Sequence, residues 1–108
     1  MVEIKPILFS RMRKLNGRYA FIELRFRHFI PSLTPQEILL YLFLVLASEH
    51  QGLSAYSPET ICACLKISLR QYLKARQSLI RKDLIAFEDP LFQVLSLPSF
   101  SPWEAADD

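Results

Sequence analysis

Apolar and polar positions alternate in blocks that mark out the chain's elements. Residues 38–47, ILLYLFLVLA, form an uninterrupted apolar run of ten. Ahead of it stands Thr34-Pro35-Gln36-Glu37, a helix start in which Thr34 caps, Pro35 takes the first helical position and Glu37 completes a capping box. The helix is expected over 35–51, with Gly52 as the glycine beyond its C-terminus. A strand over 53–56 follows, then a second helix over 58–65, opened by Ser57-Pro58-Glu59. Lys66-Ile67 reads as a turn. A third helix runs from Ser68, its cap, with Gln71 three residues on, to about Lys82. Strands over 84–88 and 91–97, joined by a turn at Asp89-Pro90, complete the pattern.

The ends are less regular. Asn16-Gly17 carries a type I′ turn signal between 7–9 and 19–24, both rich in strand formers. A hairpin or single strand is the reading, with a short helix over 11–15 as the competitor. Residues 98–108, with Trp103 and an acidic end, have no periodic pattern: Trp103 is either part of a docking peptide or folds back on the domain. The expected architecture is mainly α with a small β-wing (α+β), divided into a basic N-terminal extension (1–33), a folded domain (34–97) and an acidic tail (98–108).

The first helix is apolar on every side, so all its faces need cover. Two short helices cannot supply it. Either the N-terminal segment packs there, with Phe9, Tyr19, Phe21, Ile22 and Phe26 available, or a second copy of the chain does. The expectation is a homodimer through helix 35–51.

Composition removes several function classes. The 108 residues hold two glycines, standing alone, so no Gly-rich phosphate loop exists. Cys62 and Cys64 point about 200° apart on a helix and make no disulfide framework. His28 and His50 have no carboxylate at metal or triad spacing, and Ser57 and Ser68 are explained as helix caps. No metal, no cofactor and no enzyme active site is expected. The apolar run is half the length of a membrane span, and no export signal opens the chain, so the expectation is a cytoplasmic protein without a membrane partner.

Net charge is only +2, but it is distributed in blocks. Residues 1–30 sum to +5, 31–60 to −3, 61–90 to +3 and 91–108 to −3. Two basic segments around an acidic one suit a polyanion partner. In the third helix, Leu69, Tyr72, Leu73, Leu79 and Ile80 share one broad face, and Arg70, Gln71, Lys74, Gln77, Ser78 and Arg81 the other, with no acid before Asp83. Arginine bonds guanine edges bidentately and glutamine bonds adenine edges, which points to Arg70, Gln71 and Lys74 as base readers. Ser68, Gln77 and Ser78 join that face, and Arg81 and Lys82 would meet phosphates. Arg76, between apolar positions, is expected to lay its stem on the core edge and send its head outward, and is not assigned as a base reader. In the N-terminal segment, Arg11, Arg13, Lys14 and Arg18 form a second candidate contact, tracking phosphates or entering a minor groove. A solvated basic helix, or one that docks on protein, would show the same pattern. Carboxylates at Glu88-Asp89 make the strand turn a poor phosphate contact.

The stretch YSPETICACLKISLRQYLKARQSLIRKDLIAFEDPLFQVLSL resembles the winged helix-turn-helix superfamily over residues 33–97. Its clearest part is LIRKDLIAF, the passage from third helix into wing, where Asp83 stands at a position usually held by glycine. LTPQEILLYLFLVL is similar to the first helix of plasmid and primosome replication-initiator winged helices. The resemblance implies a double-stranded DNA-binding protein, in transcription regulation or in replication or mobility of a plasmid or mobile element. The alternative it leaves open is a winged-helix adaptor within a larger nucleoprotein assembly.

Overall fold

A computed structural model of the chain describes residues 19–99. Among them lie two 3-10 helices (Leu24–His28, Ile30–Ser32), three α-helices (α1, Pro35–Ala47; α2, Pro58–Leu65; α3, Leu69–Arg81) and three strands (β1, Leu53–Ser54; β2, Ile85–Glu88; β3, Leu91–Val94). The strands form one antiparallel sheet in the order β1-β3-β2. β3 is its centre, pairing Phe92 with Ser54 on one side and with Phe87 on the other. The fold is α+β, three helices with a three-stranded antiparallel sheet.

Each helix starts where its cap sits. Thr34 Oγ1 accepts from the Glu37 amide (3.2 Å), and Ser57 Oγ accepts from the Thr60 amide (3.1 Å). Ser68 and Gln71 make a full capping box: Ser68 Oγ accepts from the Gln71 amide (3.1 Å) and Gln71 Oε1 accepts from the Ser68 amide (2.9 Å). Such caps satisfy amides that the first helical turn leaves without partners.

One core runs through helices and sheet. Leu40, Leu44, Ile61, Tyr72, Leu79, Leu84, Ile85 and Phe92 are its fully buried side chains. The N-terminal part departs from expectation. Residues 19–23 form no strand, and the strand-forming stretch ends in a 3-10 helix instead. The reason lies in what it buries. Phe26 stacks on Tyr41 of α1 at 4.4 Å, and Phe29 and Leu33 enter the same core. A strand would place Phe26 and Phe29 on opposite faces, whereas the helical three-residue spacing brings both into the core. The boundary drawn between residues 33 and 34 therefore falls inside the packed unit. The possible hairpin about Asn16-Gly17 and the position of Trp103 lie outside the described residues.

α1 also stops sooner than expected. It ends at Ala47, with Ser48 extended and its hydroxyl donating to the Val45 carbonyl oxygen (2.8 Å). The Glu49 carboxylate then accepts from the Gln51 and Leu53 amides and closes a turn. Gly52 belongs to this turn, not to a helix end. Its φ is +83°, and its carbonyl accepts from the Val94 amide (2.9 Å), docking the turn on β3. The strands are shorter than the apolar patterns that announced them, because β1 and β3 pair through two positions only.

Asp83 adopts the left-handed conformation for which glycine is the usual residue, at φ 62°. Its amide donates to Ile80 O and that of Leu84 to Leu79 O, so the chain leaves α3 directly into β2. Two substitutions check this backbone chemistry by denaturant unfolding. Asp83→Gly relieves a left-handed non-glycine residue and should raise stability by about 0.5–1 kcal/mol. Gly52→Ala should lower it by at least about 1 kcal/mol, since it adds strain at positive φ and a Cβ only 2.8 Å from the Val94 carbonyl oxygen.

Candidate nucleic-acid interface

α2, the turn and α3 are joined by three residues, Lys66 to Ser68. Lys66 takes a left-handed conformation (φ 57°), and its amide and that of Ile67 both donate to the Cys62 carbonyl oxygen. The turn is thus closed on the end of α2, and the Ser68–Gln71 box fixes the start of α3.

α3 is rotated relative to the sequence expectation. Its buried strip is Tyr72, Ala75, Ser78 and Leu79, which packs on α1. Ser78, expected on the polar face, is 5% exposed, whereas Leu69 and Leu73, expected in the core, are 56% and 42% exposed. The large apolar residues of α3 share one face, but the helix is turned so that only part of that face is buried. The small Ala75 and Ser78 occupy the side toward α1, where helices approach closely, and the two leucines remain outside.

The outward face is therefore Arg70, Lys74, Gln77 and Arg81, with Leu69 and Leu73. Arg70, Leu73 and Gln77 follow one another at spacings of three and four, one row along the helix. No acidic residue lies within α3. Lys66, exposed in the preceding turn, adds a charge that the sequence reading did not select. Gln71 is exposed, but its amide oxygen holds the cap. It lines, with Gln36, Lys74 and others, a depression of about 230 Å³ between α1 and α3.

In and just after α3, Lys82 and Arg76 have structural partners. Lys82 Nζ donates to the Ser32 carbonyl oxygen (2.7 Å) and to Glu37 Oε1 (2.9 Å). Lys82 therefore ties the end of α3 to the start of α1, and its assignment as a phosphate contact is corrected. Glu37 completes only half of the expected capping box, because its carboxylate turns to this lysine. Arg76 departs from expectation, because its head turns onto the domain and not outward. Its guanidinium sits 4.3 Å from the ring centre of Phe87 and 5.4 Å from that of Tyr72, whose hydroxyl accepts from it at 3.4 Å. Phe87 in turn packs on Phe92 across the β2–β3 pair. Arg76 thus braces α3 against the strand hairpin. At the hairpin turn, Glu88 and Asp89 are exposed. Arg11, Arg13, Lys14 and Arg18 lie outside the described residues.

Among the described residues no cluster of His, Cys, Asp and Glu is placed to hold a metal ion. Cys62 packs against the core and Cys64 is exposed. No helix of the described residues is long and apolar enough to cross a membrane. Comparison of the chain with protein-family models, curated proteins and solved structures returns no match.

The Lys82–Glu37 pair gives a direct check on the corrected assignment. Lys82→Met leaves a buried carboxylate without its cation and should destabilise the fold by about 3 kcal/mol. Adding Glu37→Gln should restore much of that loss. Equal stability of Lys82→Met and the parent in urea unfolding would show that Lys82 is not a structural tie.

Proposed function

We propose that this chain binds double-stranded DNA as a winged helix-turn-helix protein, with α3 as the helix that enters the major groove. The observation that carries the reading is the outward face of α3: Arg70, Lys74, Gln77 and Arg81 exposed with no acid among them. A helix kept merely soluble mixes charge signs, whereas this face offers only cations and an amide, the groups that bond phosphates and base edges. The element order supports the same reading: a capped helix, a closed turn, a second capped helix, then a two-stranded hairpin. α3 is held at its start by the capping box, along its length by Arg76 on Phe87, and at its end by Lys82. Base readout needs a helix that does not reorient. The roles proposed are transcription regulation, or replication or mobility of a plasmid or mobile element.

Residue roles follow the geometry. Arg70, Lys74 and Gln77 meet bases, and Arg81 and Lys66 meet phosphates. Gln71 acts through its cap, and Ser68 with it. Arg11, Arg13, Lys14 and Arg18 add electrostatic affinity. The acidic hairpin turn stays off the backbone, which differs from a wing that grips phosphate.

Duplex binding measured by fluorescence anisotropy between about 50 and 200 mM salt tests this reading, since affinity should fall steeply over that range. Arg81→Ala should weaken binding to all sequences alike and reduce the log–log salt slope by about 1. Removing residues 1–18 should reduce the slope further in a protein that still folds. Absence of duplex binding at about 50 mM salt overturns the reading and leaves the adaptor role within a larger nucleoprotein assembly.

A second feature favours a homodimer. On α1, Leu39, Leu42 and Leu46 lie in one row and are 40%, 40% and 67% exposed. The row carries no charge, so two copies can meet about a two-fold axis without like-charge repulsion. It points away from the side of α1 that packs on α3, so pairing there leaves both α3 faces open. Light scattering at micromolar concentration should give twice 12.6 kDa. Leu42→Glu should give a folded monomer, whereas Leu40→Glu, at a fully buried position, should unfold the chain. A parent protein of 12.6 kDa refutes the dimer.

A further inference from the structure

The two leucines on the basic face of α3 are the least expected feature of the molecule's surface. Leu73 lies at the centre of the row, between Arg70 and Gln77, and Leu69 lies one turn before Leu73. A face that met only water and phosphate would gain nothing from large aliphatic side chains there. Base edges in the major groove offer one apolar group, the 5-methyl of thymine, and it lies on the groove floor about 3.4 Å from the hydrogen-bonding edge of each neighbouring pair.

We propose that Leu73, supported by Leu69, reads thymine through its methyl group, making α3 selective for sites in which thymine adjoins bases bonded by Arg70 and Gln77. The inference rests on the DNA-binding reading above. Arg70 to Gln77 is seven residues, about 10.5 Å along the helix, which matches about three base-pair steps at about 3.4 Å each. A guanine edge at Arg70, a thymine methyl at Leu73 and an adenine edge at Gln77 therefore fit one short stretch of groove. Gln77 carries the adenine contact instead of Gln71. A bidentate adenine contact needs both the oxygen and the nitrogen of the amide, and the Gln71 oxygen already accepts from the Ser68 amide at 2.9 Å. A protein partner for the leucines is disfavoured by their setting, because every charge beside them has the same sign and a duplex supplies its complement.

The test uses the full chain. Bound duplexes are selected from a random library, and each thymine of the selected site is then replaced singly by deoxyuridine, which removes the methyl and nothing else. The parent should lose affinity about fourfold at one or two positions, the factor expected for exposing one methyl-sized group. Leu73→Ala, a change at an exposed position, should stay folded, bind the thymine site more weakly and bind thymine and deoxyuridine duplexes alike at the position Leu73 reads. Gln77→Ala should relax the adenine preference, and Gln71→Ala should leave it in place. Selection of a defined site with equal affinity for thymine and deoxyuridine at every position overturns the inference while leaving DNA binding intact. Failure to bind any duplex at about 50 mM salt overturns both, and would assign the leucines to a protein surface.

Discussion

The rotation of α3 about its own axis is the constraint on which the rest of the molecule depends. A buried strip one side chain wide, Tyr72, Ala75, Ser78 and Leu79, is pressed on α1, and the opposite strip is what remains for a partner. The choice is set by volume and not by polarity alone. Ala75 and Ser78 let two helices approach, and α1 contributes Leu40 and Leu44, both fully buried, to the same core. Had Leu73 been turned inward, Arg70, its neighbour in the same row, would have been carried toward the core, where a cation without a partner costs far more than an exposed leucine. Lys82 locks the outcome, because its ammonium reaches both Glu37 and Ser32.

The same economy of partners governs the backbone. Among the described residues three places take a positive φ, each at a joint between elements: Gly52 before β1, Lys66 between α2 and α3, and Asp83 between α3 and β2. Only one is glycine. At Lys66 and Asp83 the local cost is offset by amides that close on preceding helix carbonyls, so helix ends that would otherwise leave acceptors open are satisfied. Short joints of this kind leave α2, α3 and the hairpin little freedom to shift relative to one another. Under the proposed reading, that rigidity would let the spacing along α3 serve as a ruler.

What was legible in the chain was local. Thr34-Pro35, Ser57-Pro58 and Ser68 with Gln71 start helices because the capping atoms and the amides they serve are within three residues, and α2 runs from Pro58 to Leu65 as its pattern indicates. The left-handed conformation at Asp83 fits the resemblance, in which glycine usually holds that position. What was not legible depends on distant partners. The strand-forming residues before Leu24 are overruled because Phe26 has a ring to stack on, supplied by Tyr41. The Glu37 carboxylate leaves its cap for a lysine 45 residues away. Ser78 and Leu73 exchange sides because α1 sets the available volume. The candidate site was accordingly legible as a helix and a charge sign, but not as a face: Arg70, Lys74, Gln77 and Arg81 lie there, Ser78 and Lys82 do not.

Charge distribution then limits how a duplex can approach under the proposed reading. The cations of α3 and of the turn before it, Lys66, Arg70, Lys74 and Arg81, are exposed, whereas the hairpin turn presents Glu88 and Asp89. A phosphate backbone laid across the hairpin turn would meet two carboxylates at close range, and repulsion there is screened only beyond about 10 Å at 0.1 M salt. The duplex is therefore steered to the α3 side. Arg76 sharpens this asymmetry. Stacked on Phe87 and bonded to Tyr72, it sits where a wing-side phosphate contact would need a free guanidinium. The hairpin serves α3 as a buttress, and affinity has to come from the helix, from the turn before it and from cations elsewhere in the chain. In such a division of labour, the residues that fix the helix and those that meet the ligand do not overlap, and each set can be altered without the other.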